Sequence, residues 1–125
     1  MKVKTDTKEK FHAISVETSQ LSANMAAELC NEVLKLLSTP NRNVILKLHD
    51  IASIDKEAAE TIVKTQQKFY EENASFIVCG LQQSVENFLD SESLLELMNI
   101  TKTESEAWDI VQMEEIEREL MDEEG

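Results

Sequence analysis

The sequence predicts an α/β domain with a four- to five-stranded mixed, mostly parallel sheet and about four helices. Short apolar runs rich in β-branched residues alternate along the chain with longer amphipathic segments, which is the order expected when helices connect parallel strands. The chain has 125 residues, of which 42% are hydrophobic. This is the size of one domain, with enough apolar side chains for a single core.

The first half of the chain begins with a strand and an amphipathic helix. Apolar and polar side chains roughly alternate over residues 10–16, which predicts a half-buried strand, and residues 1–5 are expected to pair with it as a short edge strand. A helix is predicted after Ser22, a favoured N-cap residue. The Ser-Thr-Pro-Asn segment at 38–41 ends it, because proline cannot continue the helical hydrogen bonds. The apolar face of this helix contains Leu21, Met25, Leu29, Val33, Leu36 and Leu37.

Two further strands are short, apolar and flanked by helical segments. Residues 44–48 and 75–79 are therefore expected to be buried and parallel to their neighbours. Between them, a loop at 49–54 leads to Asp55, the predicted N-cap of the second helix. The apolar side of that helix contains Ala59, Ile62, Val63, Phe69 and Tyr70.

The last third of the chain contains two predicted helices and one short strand. A helix is predicted at 82–90 and a last strand at 100–102. Thr103 and Glu106 have the spacing of a capping box, which predicts the start of the final helix.

The charge is strongly acidic and unevenly distributed. The net charge is −13, and ten of the 25 acidic residues fall within residues 104–125, where Arg118 is the only basic residue. This balance disfavours binding to nucleic acid or to an anionic membrane and favours a protein partner. We divide the chain into a domain at 1–112 and an acidic C-terminal extension at 113–125, which is either a helical extension or a frayed tail.

The acidic end has two interpretations. Runs of acidic residues are most often a solvated helix face or a disordered end. Alternatively, the segment binds a basic partner electrostatically, with Trp108, Val111, Ile116 and Leu120 packing on that partner.

The composition indicates a cytoplasmic protein without membrane insertion. Cys30 and Cys79 lack the spacing of a metal site or a disulfide framework, so we expect two buried, reduced thiols. The N-terminus lacks the apolar core of a signal peptide, and no apolar run is long enough to span a membrane.

No set of residues with a catalytic pattern is present. His12 and His49 are isolated, without a nucleophile or an orienting group in view. The two glycines of the chain exclude a glycine-rich phosphate loop. Asp50 or Asp55 could suggest a phosphoacceptor receiver domain, but no acid pair ends a strand before Asp50. We therefore expect no enzyme activity, no cofactor and no metal.

Residues 44–97 resemble the core of a STAS domain, the fold of anti-sigma factor antagonists. That family has a hydrophobic strand, a short loop, an Asp-Ser-Ser-Gly-type turn and a helix, followed by a strand, a glycine and a short helix. Here the turn is Asp55-Lys56-Glu57-Ala58, between the strand at 44–48 and the strand with its glycine at 76–81. The short helix corresponds to 84–89, and residues 103–107 resemble the opening of the family's last helix.

The resemblance implies a STAS-type fold and a role in binding regulatory proteins. Members of the family bind a kinase that is also an anti-sigma factor, build stress-signalling complexes, form part of anion transporters or serve lipid transport. The chain is thus expected to be a bacterial, non-catalytic regulator in signalling and transcription. Its expected partners are an anti-sigma factor kinase or other STAS proteins. The alternative is a structural STAS subunit of a larger stress-signalling or transport complex.

One departure from the family pattern concerns the phosphorylated serine of the turn. Its position corresponds to Glu57, which has no hydroxyl group, so phosphorylation cannot switch the chain there. Glu57 either imitates a phosphoserine at a helix N-terminus or is an ordinary acidic residue in a first helical turn. Ser53 and Thr61 lie outside the family position. The predicted partner-binding residues are Ser53, Asp55, Lys56, Glu57, Ala58, Glu60 and Lys64, with Gln67 on the same helix face.

Overall fold

The computed structural model describes residues 2–124 and has the predicted α/β architecture. A five-stranded sheet has the order β1-β2-β4-β6-β7, in which β1 is antiparallel to β2 and the other neighbours are parallel. The strands β3 and β5 form a separate two-residue parallel pair. The seven strands are β1 (Val3–Thr7), β2 (His12–Val16), β3 (Gln20–Leu21), β4 (Val44–Lys47), β5 (Ser53–Ile54), β6 (Phe76–Cys79) and β7 (Ile100–Thr101).

Four α-helices connect or follow these strands, as predicted. Two short 3-10 helices, Lys35–Ser38 and Leu95–Leu97, complete the described structure. The α-helices are α1 (Ala23–Leu34), α2 (Lys56–Glu71), α3 (Gln83–Ser91) and α4 (Glu104–Glu124).

The helices divide between the two faces of the sheet. Leu46 and Val78 point to the first face, in one core cluster with residues of α1, α2 and α3. Ile45 and Ile77 point to the second face, where α4 covers them with Ala107 and Val111. Alternate side chains of β4 and β6 are therefore buried on opposite faces, which is why these strands are apolar throughout.

The prediction of a half-buried strand for residues 10–16 was wrong. Ile14 and Val16 belong to the first cluster, whereas Phe11 and Ala13 belong to the second. The side chains of β2 therefore alternate between the two faces of the sheet, and both faces are covered by helices. The predicted edge strand forms as β1, shifted to Val3–Thr7.

The structure confirms the N-caps that the sequence predicted for α1 and α4. Ser22 is the N-cap of α1, and its hydroxyl accepts a hydrogen bond from the Met25 amide at 3.3 Å. At the start of α4, the Thr103 hydroxyl accepts from the Glu106 amide at 3.1 Å. The second bond of the capping box differs, because the Glu106 carboxylate lies 3.2 Å from the Thr103 hydroxyl instead of accepting from the Thr103 amide.

The helix α4 continues without a break across residues 112 and 113. The described part of the acidic extension is therefore helical and not a frayed tail. Within it, Glu114, Glu115 and Arg118 contact the body of the domain through side-chain hydrogen bonds.

Candidate functional site

The candidate site is the turn that leads from β4 into α2. After β4, the Leu48 amide donates to the Cys79 carbonyl at 3.1 Å, and the Leu48 and Ile51 side chains are fully buried. These contacts fix the beginning of the predicted loop at 49–54 on the sheet.

The end of this loop is a strand that the sequence analysis missed. The strand β5 pairs in parallel with β3, so Ser53 lies beside Gln20 and Ile54 beside Leu21. The Asp55 amide extends the pairing by donating to the Leu21 carbonyl at 3.0 Å. The turn is therefore attached by its backbone to the segment that precedes α1.

Asp55 is the N-cap residue of α2, as predicted, but its side chain does not cap that helix. Its carboxylate accepts instead from the backbone amide of Ala23, the first residue of α1, at 3.2 Å. Asp55 thus links the starting points of two neighbouring helices. The predicted position is confirmed, and the predicted hydrogen bond is replaced by one to a residue 32 positions earlier.

Most of the predicted partner-binding residues form one exposed surface. Ala58 differs, because it is 0% exposed and packs in the core cluster of the first face. Its side chain is therefore not part of the surface. The exposed residues, which we call the turn surface, are Ser53, Asp55, Lys56, Glu57, Glu60 and Lys64, with Gln67 further along α2.

The charged side chains of the turn surface have few partners. Lys56 forms an ion pair with Glu92, just after α3, at 3.3 Å, and it does not pair with Glu60. Glu57 is exposed in the first turn of α2, where no side chain caps the backbone amides. A carboxylate at this position interacts favourably with the helix dipole.

The two hydroxyl groups near the turn differ in their surroundings. Ser53 is exposed on β5. The Thr61 hydroxyl donates to the Glu57 carbonyl within α2 at 3.0 Å, so it serves the helix backbone.

The helix α3 supports the turn from the side. Gln82 donates to the His49 carbonyl at 2.9 Å, and the Ser84 hydroxyl donates to the Ala52 carbonyl at 3.0 Å. Gly80 has a φ of +78°, which favours glycine, and a Cβ there would lie 3.3 Å from the His49 Cβ, a tight contact between the two loops. These contacts join distant segments, and the sequence contained no signal for them.

The two histidines fit structural roles. His12 is buried, with its Nδ1 3.0 Å from the Thr7 hydroxyl and its Nε2 2.9 Å from the Asn41 carbonyl. His49 is exposed, and its Nε2 lies 3.6 Å from the Asp50 carboxylate. Within the part of the chain that the structure describes, no group of three or more His, Cys, Asp or Glu residues is placed to hold a metal ion.

A second polar cluster, which the sequence analysis missed, lies under the C-terminal half of α4. The Glu114 carboxylate accepts from the Tyr70 hydroxyl at 2.8 Å and from the Ser75 hydroxyl at 2.6 Å. Arg118 donates to the Ser75 oxygen at 2.7 Å. Burial and the Glu114 carboxylate together raise the pKa of Tyr70, so this phenol stays protonated and donates. The cluster fastens α4 to the end of α2 and the start of β6.

A neighbouring set of contacts fastens α4 to the strands. The Glu115 carboxylate accepts from the Asn43 amide at 2.6 Å and forms an ion pair with Lys10 at 3.5 Å. Asn43 also accepts from the Ser75 amide at 2.8 Å. Both sets of contacts lie where β2, β4 and β6 begin, at the end of the sheet opposite to the turn surface.

Between residues 2 and 124, none of the helices combines the length and the apolar character needed to cross a bilayer.

Comparison with known proteins identifies a family for most of the chain. The family model of the STAS domain matches residues 4–107. No curated protein sequence matches the chain.

Solved structures share the fold at low sequence identity. An anti-sigma factor antagonist (STAS) domain protein from Planctomyces limnophilus is 15% identical, with a TM-score of 0.74 and coverage of 88% of this chain and 97% of that one. RsbS from Moorella thermoacetica, in a serine-to-glutamate variant, is 11% identical, with a TM-score of 0.68 and coverage of 90% and 96%. A murine anion transporter of the solute carrier 26 family is 10% identical, with a TM-score of 0.68, and the match covers 83% of this chain and 18% of the transporter.

Proposed function

Because the chain belongs to the STAS domain family, we propose that it is a non-catalytic regulatory domain that binds other proteins through the turn surface. In this role it resembles anti-sigma factor antagonists, and serine phosphorylation at the usual turn position does not switch it. The observation that carries the proposal is the exposed Glu57 carboxylate at the start of α2. The sequence resemblance assigns this position to the phosphorylated serine of the family.

The fixed backbone of the turn supports a binding role. The β3–β5 pair, the Asp55–Ala23 hydrogen bond and the contacts from α3 hold the turn before any partner arrives. A surface that is already ordered loses less conformational entropy on binding, so more of its contact energy contributes to affinity.

Two roles for Glu57 follow from its place in the helix. As an imitation of phosphoserine, it holds the chain permanently in the state that a phosphorylated relative reaches reversibly. Phosphoserine carries a charge of about −1.5 to −2 and three acceptor oxygens, so one carboxylate reproduces only part of its effect. As an ordinary first-turn residue, Glu57 contributes about 0.3–1 kcal/mol to the helix.

The proposed setting is transcriptional control or stress signalling in the bacterial cytoplasm. Cys30 and Cys79 are both free and buried, which suits a reducing compartment. The proposed partner is an anti-sigma factor kinase or another STAS protein.

A second candidate function is that of a structural subunit in a larger stress-signalling or transport complex. The similarity to a domain of an anion transporter favours it. The engaged Thr61 hydroxyl also favours it, because this leaves one fewer hydroxyl near the turn for a kinase to modify.

An affinity pull-down from the cytosol of the host organism tests the binding role. The wild-type chain is compared with Lys64→Glu on the turn surface and with Lys4→Glu on β1, where an exposed lysine undergoes the same charge reversal. If Glu57 is an ordinary first-turn residue, we expect an ATP-binding anti-sigma protein to bind the wild type and the β1 variant but not Lys64→Glu. Recovery of a transport complex or of other STAS proteins, without a kinase, supports the structural subunit. Equal recovery by both variants contradicts the proposed surface.

Phosphorylation of a Glu57→Ser variant tests the missing switch. With the captured kinase and ATP, we expect this variant to gain one phosphate and to lose binding, whereas the wild type and Glu57→Ala gain none. Phosphate on the wild-type chain within the turn contradicts the proposal.

A further inference from the structure

The outer face of α4 carries an apolar stripe that the domain does not use. Met113, Ile116 and Leu120 are 60%, 57% and 55% exposed. Their spacings of three and four residues place them on one face of the helix, over about two turns. Ala107, Val111, Glu114 and Arg118, by contrast, face the body of the domain. The stripe therefore lies on the side of α4 that points away from the body.

Acidic residues surround the stripe. Glu117 borders it on one side, Glu119 borders it on the other, and Asp109 precedes it, all three of them exposed. The only basic residue of α4 is Arg118, which donates to the Ser75 hydroxyl and lies 3.9 Å from Glu114. The exposed charges that α4 itself presents beside the stripe are therefore all negative.

A cavity of about 500 Å³ adjoins the stripe on the side of the β1–β2 connection. Trp108 and Ile116 give it an apolar part, and Glu9, Glu115 and Glu119 supply carboxylates. Lys10 also lines the cavity but is paired with Glu115. An arginine or lysine side chain suits this combination, because its stem packs on Trp108 while its charge meets the carboxylates.

We propose that the outer face of α4 is a second interaction surface, which binds a basic amphipathic helix of another protein. The apolar side of that helix covers Met113, Ile116 and Leu120, and one of its basic side chains enters the cavity beside Trp108. A second copy of this chain fits poorly, since pairing two such faces would bring Glu117 and Glu119 of one copy against the same acidic residues of the other. The stripe and the turn surface lie on helices that cover opposite faces of the sheet, so one domain accommodates both partners.

Fluorescence anisotropy with synthetic peptides tests this inference on the full chain. The probe is a labelled helical peptide of about 18 residues, with leucines along one side and lysines and arginines flanking them. One control peptide has the same residues in scrambled order, and another has glutamates in place of the basic residues. We expect the probe to bind at least about tenfold more tightly than either control, because it alone matches both the apolar stripe and its charge.

Variants of the chain locate the binding. Ile116→Ser combined with Leu120→Ser is expected to weaken probe binding at least about tenfold, and Glu119→Lys to weaken it without altering the apolar stripe. Leu97→Ser changes a comparably exposed leucine elsewhere, 51% exposed, and leaves probe binding unchanged. Lys64→Glu also leaves it unchanged, so a failure of the turn surface is distinguished from a failure of this one. Unchanged melting temperatures confirm that the variants fold.

Three results would overturn the proposal. Equal affinity for the scrambled peptide means attraction by charge alone. Unchanged probe binding by the double serine variant means that the stripe is not the site. Self-association of the wild-type chain in sedimentation, abolished by the same variant, means that the stripe is covered by a second copy.

Discussion

At the scale of single residues, Asp55 shows how one side chain joins two helices. Its carboxylate accepts from the Ala23 amide at the start of α1, and its carbonyl accepts from the Ala59 amide in α2 at 3.1 Å. The carboxylate therefore interacts with the positive end of the α1 dipole while the residue begins α2.

Replacing Asp55 with alanine is expected to lower the free energy of unfolding by about 1–2 kcal/mol, the usual cost of losing a helix-terminal acceptor. Asp55→Asn retains an acceptor oxygen and is expected to cost less. Urea denaturation measures both changes. Asp109→Ala, which removes an exposed carboxylate from α4, is the control and should stay within about 0.5 kcal/mol of the wild type. Equal losses for Asp55→Ala and Asp109→Ala would contradict the role of the Ala23 bond.

A buried thiol makes the free energy of unfolding depend on pH in the alkaline range. Burial raises the pKa of Cys79 from 9.0 to about 11, with a further contribution from Glu104 and an opposing one from Lys47. The unfolded chain therefore releases this proton first as the pH rises. The contribution of the protonated Cys79 thiol to the free energy of unfolding is complete below pH 9.0 and is lost as the pH approaches about 11.

Cys79→Ala is expected to reduce the slope of unfolding free energy against pH between 9.0 and about 11. Part of the slope remains, because the pKa values of Cys30 and Tyr70 are raised as well. Urea denaturation at several pH values gives the slope, which does not depend on the constant cost of the cavity left by alanine. Identical slopes for variant and wild type would show that Cys79 does not contribute.

At the scale of secondary structure elements, α4 packs in two different ways along its length. Near its start, Ala107 and Val111 are fully buried against the sheet. Further along, the same face carries Glu114 and Arg118, which reach Tyr70 and Ser75 through hydrogen bonds. The second half of the helix therefore depends on polar contacts that are specific in geometry.

Removing Glu114 is expected to loosen the second half of α4 and leave the first half in place. Glu114→Ala leaves the Ser75 and Tyr70 hydroxyls without an acceptor, at a cost of about 1–3 kcal/mol. Hydrogen exchange should increase over residues 113–121 and change little over residues 107–111. Glu117→Ala changes an exposed glutamate of the same helix and should leave both halves unchanged. Faster exchange along the whole helix would contradict a division into two halves.

The sequence predicted the start of α4 because the Thr103–Glu106 spacing is a local signal. It did not predict the contacts of Glu114, because they depend on Tyr70 and Ser75, which lie 44 and 39 residues away in the chain. Within an acidic segment, a glutamate that packs on the body has the same local pattern as one that faces solvent. The strands β3 and β5 were missed for a similar reason, since two residues are too few to show a period.

At the scale of the whole molecule, the sheet separates two cores that belong to one domain. The first core contains α1, α2 and α3, and the second contains α4. Because the strands β2, β4 and β6 supply side chains to both, neither core forms without the sheet. The alternation of strands and helices was sufficient to predict this fold class, but it did not show that β2 is buried on both faces.

Small cavities made in the two cores are expected to have additive effects. Ile62→Val in the first cluster and Ile77→Val in the second should each lower the free energy of unfolding by about 0.5–1.5 kcal/mol. The double variant should equal the sum within about 0.5 kcal/mol, because the two sites do not share a cluster. Urea denaturation followed by circular dichroism should show one cooperative transition in every case. Two separate transitions would mean that the faces unfold independently.

The hydrogen bond between Asp55 and Ala23 restricts which residues are compatible with position 23. Position 23 contributes its backbone N–H to this bond, so the bond itself does not require a particular side chain there. Proline is the exception, because it has no N–H. In helices generally, proline is over-represented at the first position. In this chain, proline at the first position of α1 would remove the hydrogen bond that attaches the turn before α2 to α1.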